Sequence, residues 1–170
     1  VLPVKVCNGT HAIEVNTLLD SGSDTTLITS KLADQLKIKG EKKDLNISNA
    51  ISKSVKVVSR LVNFSLASNH HPNPIEVRNA WVVDILNLPP QKFSQKEIKK
   101  NWPHLSKIPI ETSDKDIAII IGADLPQLHI SHDVISGETD DPIAMLTKLG
   151  WVLLGGKRNK PTTNISSNLI

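Results

Sequence analysis

The chain has 170 residues, of which 39% are apolar and 22% are charged, and its formal net charge at pH 7 is +3. This size is enough for one domain with its own core, and the single cysteine, Cys7, excludes an intrachain disulfide. The chain opens without a secretory signal and contains no apolar run of about 20 residues, so we expect an intracellular protein in a reducing compartment, with no membrane partner.

The first part of the chain predicts a β-hairpin. Apolar residues alternate along 2–7 and recur along 10–19, and Asn8-Gly9 lies between the two runs. Asn and Gly both tolerate positive φ, so this pair is typical of a two-residue turn between antiparallel strands. The second strand runs directly into Asp20.

Further short strands and a few short helices are predicted along the rest of the chain. Apolar runs bounded by turn residues predict strands at 25–29, 55–66, 75–85, 116–121 and, in two or three pieces, within 130–155. Two short helices are predicted at 30–36, where Ser30 is the cap, and at 93–102, while Pro126 limits a further one at 123–128. This series of elements predicts a small all-β, barrel-like domain.

Two of these strands differ in the regularity of their pattern. Within 55–66 the apolar residues move from odd positions (Val55, Val57) to even ones (Val62), which a bulge or a bend would explain. Within 75–85 they stay at odd positions throughout, and a turn is predicted before them at 68–74. We therefore expect one irregular strand followed by a regular one.

Asp20 carries the most information about function. It ends an apolar run and precedes Ser21-Gly22, and an acid at the end of a buried strand is costly unless hydrogen bonds or chemistry retain it. Two carboxylates that share one proton can hydrolyse a peptide bond, because the ionised one takes a proton from water while the protonated one donates to the carbonyl oxygen. The chain contains a single Asp-Ser-Gly turn, which predicts a homodimer with its twofold axis between two copies of Asp20.

Three segments, in order, resemble a known family. Residues 18–28 resemble the active-site segment of the retroviral-type aspartic peptidases, the retropepsins, and 118–125 resemble that family's second motif, two apolar residues and a glycine before a short helix. Residues 142–155, together with Trp-Pro-His-Leu at 102–105, are similar to the peptidase domain of Pao/BEL-type LTR retrotransposon polyproteins. The resemblance spans residues 1–156.

This resemblance implies a retropepsin-like closed barrel with one or two short helices over 1–156, a surface insertion at 87–115 and a flexible tail or linker at 157–170. It also implies an aspartic endopeptidase that acts as a homodimer on a polyprotein, without metal or cofactor, in the cytoplasm or within virus-like particles. The substrate would be an extended polypeptide that adds a strand to the site.

The resemblance also implies roles for single residues. Asp20 would be the catalytic carboxylate, Ser21 would grip the partner subunit, and Gly22 and Asp24 would contact the substrate backbone. Thr26 would be a buried turn residue, with a structural second motif at Ile121, Gly122 and Asp124, the last bonding locally at the start of the helix. The flap would lie near 46–54, with substrate contacts from Ile47, Ser48, Asn49, Ala50 and Ile51.

The chain departs from the family pattern at two places that bear on activity. Ala123 stands where viral members often carry an arginine, so Asp24 is expected to lack that ionic partner. The expected flap, 46–54, contains no glycine, although flaps of the family are usually rich in it. A retropepsin-fold module that dimerises or binds peptide without cleaving it is therefore an alternative to the enzyme.

Other interpretations of single motifs remain open. The lysines at 37–43 and 92–100 could bind RNA in a capsid-associated segment, but with few aromatic side chains beside them a solvated face is favoured. His129, His132 and Asp133 could hold a metal, although strand geometry would turn the two histidines to opposite faces. Ser21 lies in no Gly-x-Ser-x-Gly elbow that would make it a nucleophile, Cys7 is expected to pack in a strand, and His70-His71 to lie in a solvated turn.

Overall fold

The computed structural model describes residues 1–48, 55–86, 88 and 94–155. Within them the chain forms two short α-helices, α1 (Ser30–Gln35) and α2 (Gln95–Asn101), and ten strands. The strands are β1 (Leu2–Asn8), β2 (His11–Leu19), β3 (Leu27–Thr29), β4 (Gly40–Ile47), β5 (Val55–Ser68), β6 (His71–Val83), β7 (Ile117–Ile121), β8 (Asp133–Ile135), β9 (Ile143–Thr147) and β10 (Gly150–Leu154).

Six of the strands close into a barrel, which confirms the predicted all-β, retropepsin-like fold. The order is β1-β2-β7-β3-β6-β5, and β5 returns to pair with β1, while β4 adds to the outer edge of β5. Closure leaves β4 as the unpaired edge of this sheet. The interior is aliphatic, with Val6, Ile28, Leu66, Val77 and Ile119 all fully buried.

The pairing of β2, β7 and β3 determines where the loops of interest lie. β2 and β7 are parallel, with Leu19 opposite Ile121, and β3 is antiparallel to β7, with Leu27 opposite Ile120. The carboxyl ends of β2 and β7 and the amino end of β3 therefore meet at one edge of the barrel. The residues that follow Leu19, follow Ile121 and precede Leu27 are neighbours in space.

The predicted first hairpin is present, but its turn is shifted by one residue. Asn8 pairs with His11, so the two turn residues are Gly9 and Thr10 rather than Asn8 and Gly9. Gly9 has φ +59, which fits a primed hairpin turn with glycine first. Asn8 ends β1, and its side-chain amide donates to Leu36 O at 2.9 Å.

The helix predicted from Ser30 forms as α1, although Ser30 is not its cap. Thr29 is the N-cap, and its hydroxyl oxygen accepts from Leu32 N. Because the cap residue itself keeps extended backbone angles, a β-branched threonine at the end of β3 can serve as both strand end and cap. Leu32 and Leu36 are buried on one face, as the spacing predicts.

The prediction of a regular strand at 75–85 is wrong because β6 contains the bulge. Val62 pairs with Ala80 and Phe64 with Val77, so two residues of β6 lie opposite Asn63 of β5. Asn79 takes φ +58 there and donates its N–H to Asn63 Oδ1 at 2.9 Å. An extra residue moves the buried face to the other parity.

The ends of β6 also differ from their predicted positions. The turn predicted at 68–74 is only Asn69-His70, because β5 runs to Ser68 and β6 starts at His71. β6 ends at Val83, and Ile85 is 70% exposed. The polar segment 40–54 supplies a strand, β4, that its weak periodicity did not predict. β4 pairs with β5 in one register along its whole length.

A second apolar cluster lies outside the barrel. The three-stranded sheet β10-β9-β8 packs against α2 and the segment after it. The buried members of the cluster are Ile98, Trp102, Leu105, Ile108, Ile110 and Ala144. The predicted insertion at 87–115 therefore has a surface face and a buried face, since Ile98 is fully buried on the lysine-rich helix.

Local hydrogen bonds hold this cluster in place. α2 begins with a capping box, in which Ser94 Oγ accepts from Glu97 N and Ser94 N donates to Glu97 Oε2. The return of the chain to β7 is fixed by Asn16, whose side-chain amide donates to Ser113 O at 3.0 Å and to Lys115 O.

The domain boundaries 1–156 stay a prediction, and the predicted tail 157–170 lies outside the described residues. No helix in the described part of the chain is long and apolar enough to span a membrane.

We expect Leu105→Ala to lower the free energy of unfolding by about 3 kcal/mol, because a fully buried leucine leaves a cavity when truncated. Urea unfolding followed by circular dichroism measures it. Lys99→Ala, on the exposed side of α2, is the control and should change stability by less than about 0.5 kcal/mol. Unchanged stability in Leu105→Ala would mean that the second cluster contributes nothing to the cooperative fold.

Candidate active site

The turn after β2 and the segment after β7 are joined by a dense set of hydrogen bonds. Five connect residues 20–26 with residues 121–124. They are Asp20 N to Ile121 O (3.0 Å), Ala123 N to Ser23 O (2.8 Å), Thr26 N to Asp124 Oδ2 (3.0 Å), Thr26 Oγ1 to Asp124 Oδ1 (2.8 Å) and Gly122 N to Thr26 Oγ1 (3.2 Å). The two predicted motifs therefore form one structural unit at the barrel edge.

Thr26 is the centre of this network. Its side chain is fully buried, and its hydroxyl donates to Asp124 while accepting from Gly122 N. The expectation that Asp124 bonds locally at the start of a helix is wrong, since both of its oxygens accept from Thr26. A carboxylate that accepts both a backbone N–H and a hydroxyl makes strong, charge-assisted bonds.

Gly122 allows the close approach of the two segments. A Cβ at this position would lie 2.5 Å from both the carbonyl carbon and the oxygen of Thr25. No side chain could be accommodated at this distance without moving the backbone, which gives a physical reason for glycine here. The turn that carries Asp20 can therefore pack directly against the backbone of Gly122.

The helix predicted from Ala123 to Leu128 is largely absent. The chain forms a turn at Ala123-Asp124 and then one short 3-10 segment, Pro126–Leu128. Proline has no N–H to bond back to the preceding turn, so an α-helix cannot run through it.

The carboxylate of Asp20 is only partly satisfied. Oδ1 accepts from Gly22 N at 2.9 Å. Oδ2 is buried and has no hydrogen-bond partner among the residues that the structure describes. A buried carboxylate oxygen without a donor is costly, so we expect Oδ2 to take a donor beyond those that the described residues supply.

The residues that follow Asp20 in the turn differ in their exposure to solvent. Ser21 is exposed, whereas Ser23 is buried and its hydroxyl donates to Thr25 O at 2.7 Å. Asp24 is exposed, and within the described parts of the chain its carboxylate has no hydrogen bond or ion pair. This agrees with the expectation drawn from Ala123.

A groove lies beside the turn. Its lining residues come from the turn (Gly22, Ser23, Asp24 and Thr25), from Leu27 and Val83, and from the end of β4 with the residue after it, Leu45 to Ser48. Ile47 and Ser48, predicted as flap residues, thus line the same groove as the turn. Asn49, Ala50 and Ile51 lie outside the described residues, so their predicted substrate contacts stay predictions.

The other candidate residues take part in structural contacts. His129 Nε2 lies 2.9 Å from Gly122 O, and within the described residues no three His, Cys, Asp or Glu side chains group as a metal site. Cys7 is half-buried in β1. His70 lies in the β5–β6 turn, 3.9 Å from Glu111 Oε1, while His71 belongs to β6 rather than to a turn.

The comparison with protein families agrees with this geometry. Residues 2–125 match a family model described as aspartyl protease. The chain belongs to the aspartyl protease family. The match covers the turn, the barrel strands β1 to β7 and the second motif. Among curated proteins and among solved structures, no match to the chain was found.

Sequence reasoning missed two contributors to the site of this aspartyl protease. The backbone carbonyl of Ser23 accepts from Ala123, and no side-chain pattern reveals such a bond. His129 was considered only as a metal ligand, whereas its ring contacts the second motif. The available sequence signal was Pro126, because a proline that stops a helix leaves the residues after it, such as His129, near the second motif.

We expect Thr26→Val to lower the free energy of unfolding by about 2 kcal/mol, because a buried amide and a carboxylate lose their hydroxyl partner while volume is kept. Thr25→Val is the matched control, since the Thr25 hydroxyl has no hydrogen bond among the described residues. Chemical unfolding of both variants measures the difference. Equal stability of the two variants would contradict the role assigned to Thr26.

Proposed function

We propose that this aspartyl protease is a retropepsin-like endopeptidase that works as a homodimer, with one Asp20 from each subunit. The supporting observation is the incomplete carboxylate, because Asp20 Oδ2 is buried without a partner in the described part of one chain. A second, protonated carboxyl group across a twofold axis would supply the missing donor. The exposed hydroxyl of Ser21 is free to bond to the opposing turn.

In the proposed mechanism the two Asp20 carboxyl groups share one proton, since two adjacent carboxylates cannot both ionise. The ionised group takes a proton from water, and the water attacks the peptide carbonyl. The protonated group donates to the carbonyl oxygen, and the resulting tetrahedral intermediate collapses with proton transfer to the leaving amine. Gly22 N–H, at 2.9 Å from Oδ1, keeps the carboxylate oriented throughout.

The proposed substrate is an extended polypeptide that lies in the groove beside the turn. Gly22 and Asp24 of the turn and Ile47 and Ser48 at the end of β4 all line this groove. The carboxylate of Asp24 can accept hydrogen bonds from backbone amides of the substrate, because it makes no hydrogen bond or ion pair with any described residue. If the substrate adds as a strand, its backbone N–H and C=O groups would make hydrogen bonds with the residues that line the groove.

We further propose that the natural substrate is the polyprotein of a Pao/BEL-type LTR retrotransposon, processed in the cytoplasm or in virus-like particles. The support is the sequence of the second cluster. Trp102 and Leu105 belong to the segment that resembles this subgroup, and both are buried against the sheet β8 to β10. The resembling segments thus form one packed unit in this chain.

We expect Asp20→Asn to lower proteolysis by about 10²- to 10⁴-fold, because a neutral amide cannot act as the general base or general acid of the reaction. Cleavage of a peptide library by the full chain, read by mass spectrometry with and without pepstatin, measures it. Asp34→Asn, an exposed aspartate on α1, is the matched control and should keep full activity. Circular dichroism checks that both variants are folded.

Two outcomes would contradict the proposal. Full activity of Asp20→Asn would remove the catalytic role of this residue. Folded, dimeric wild type that cleaves no library peptide between about pH 4 and 7 would favour the alternative of an inactive dimerisation or peptide-binding module.

Subunit mixing tests the shared site directly. We expect a tenfold excess of the Asp20→Asn chain to lower wild-type activity about tenfold, because most wild-type subunits then pair with an inactive partner. The same excess of Asp34→Asn should leave activity at or above its starting value. Sedimentation confirms that mixed dimers form, and activity independent of the Asp20→Asn excess would show that each chain acts alone.

A further inference from the structure

The carbonyl oxygen of Gly122 accepts two hydrogen bonds. Leu125 N donates to it at 3.2 Å, and His129 Nε2 lies 2.9 Å away. A carbonyl can only accept, so Nε2 must carry a hydrogen. This N–H is present in both the protonated ring and the corresponding neutral tautomer, so the contact does not depend on the charge of His129.

The peptide that joins Gly122 to Ala123 is held on both of its sides. Its carbonyl accepts from His129, and its N–H, on Ala123, donates to Ser23 O at 2.8 Å. Because a peptide unit is planar and rigid, fixing the carbonyl also fixes the direction of the N–H. The ring of His129 is therefore linked through one peptide plane to the turn that carries Asp20.

The local backbone explains why a side chain is needed at this point. After Ala123 the chain makes a turn and a single 3-10 segment, Pro126–Leu128, rather than an α-helix whose ladder would hold the Gly122 carbonyl. His129 follows this segment as its C-cap, with its N–H bonded to Pro126 O. Its half-buried side chain then reaches back across the whole loop to Gly122.

We propose that His129 is a positioning residue for the proteolytic reaction, acting through its Nε2–H on the Gly122–Ala123 peptide. The proposal rests on Asp20 being the catalytic residue. Without the His129 donor the peptide can rotate, and the bond from Ala123 N to Ser23 O loosens. The turn then holds Asp20 less accurately, which slows the chemical step more than it weakens substrate binding.

The test compares His129→Leu with His129→Gln. Leucine fills the space without a donor, whereas the glutamine amide can place an N–H near the position of Nε2. We expect His129→Leu to lower kcat about 10- to 100-fold with KM within about threefold, and His129→Gln to recover most of kcat. His132→Leu is the matched control, because His132 is exposed three residues further on, and it should retain wild-type kcat.

Hydrogen exchange supplies a readout that needs no activity. The amides of Ala123 and Asp20 should exchange about tenfold faster in His129→Leu than in wild type, which corresponds to the loss of one hydrogen bond. In His129→Gln they should stay protected. This result stands even if Asp20→Asn proves active, so a failure of the proposed function is distinguishable from a failure of this inference.

Three results would overturn the inference. They are unchanged kcat in His129→Leu, an equal loss of kcat in His129→Leu and His129→Gln, and unchanged exchange at Ala123 in His129→Leu. The second would mean that the imidazole acts in some way other than donating one N–H. The first would exclude positioning of the catalytic turn whether or not KM rises.

Discussion

The site depends on the contact between the backbones of Gly122 and Thr25. A Cβ on residue 122 would lie 2.5 Å from atoms of Thr25, so the two segments touch as closely as backbone permits. The parallel pairing of β2 with β7, and the antiparallel pairing of β7 with β3, bring these segments to the same barrel edge. Every hydrogen bond between the turn and the second motif requires this approach.

The same contact couples the site to the folding of the whole barrel. Thr26 and Asp124 are 98 positions apart in the chain, so bringing them together carries a large loop-closure cost. That cost is met when the strands between them pair and the barrel closes, and the turn cannot be ordered before this happens. The carboxylate is therefore placed by the barrel as a whole, and buried substitutions far from Asp20 can change activity.

The parts of the fold that sequence predicts well are those determined by residue type at short range. The hairpin and the buried run of β7 follow from turn residues and β-branched residues, and the lysine-rich segment 93–102 predicts the helix α2. The turn at Asp20 is recognisable because an acid at a strand end has a specific chemical reason, whereas the segment around Gly122 is recognised by its resemblance to the second motif of the family.

The parts of the fold that the sequence does not predict arise from contacts between residues that are not neighbours in the chain, above all the pairing of strands. The bulge at Asn79 exists because β5 and β6 must stay in register on both sides of Asn63. β4 is a strand because β5 offers it an edge, despite its weak apolar pattern. The contact of His129 with Gly122 depends on how the chain turns after Pro126, and single-residue propensities do not encode that path.

Ala123 does not weaken the case for a working site, although viral members often place an arginine there. An exposed ion pair contributes at most about 1 kcal/mol, and Asp24 is exposed, so the lack of such a pair costs little stability. The attachment that such an arginine could provide between the two motifs is supplied here by Thr26 and Ser23 through hydrogen bonds. The bond from Gly122 N to Thr26 Oγ1 is buried, and a hydrogen bond shielded from water is stronger than one at the surface. Without the arginine, the turn is therefore still attached to the second motif, but by hydrogen bonds in place of an ion pair.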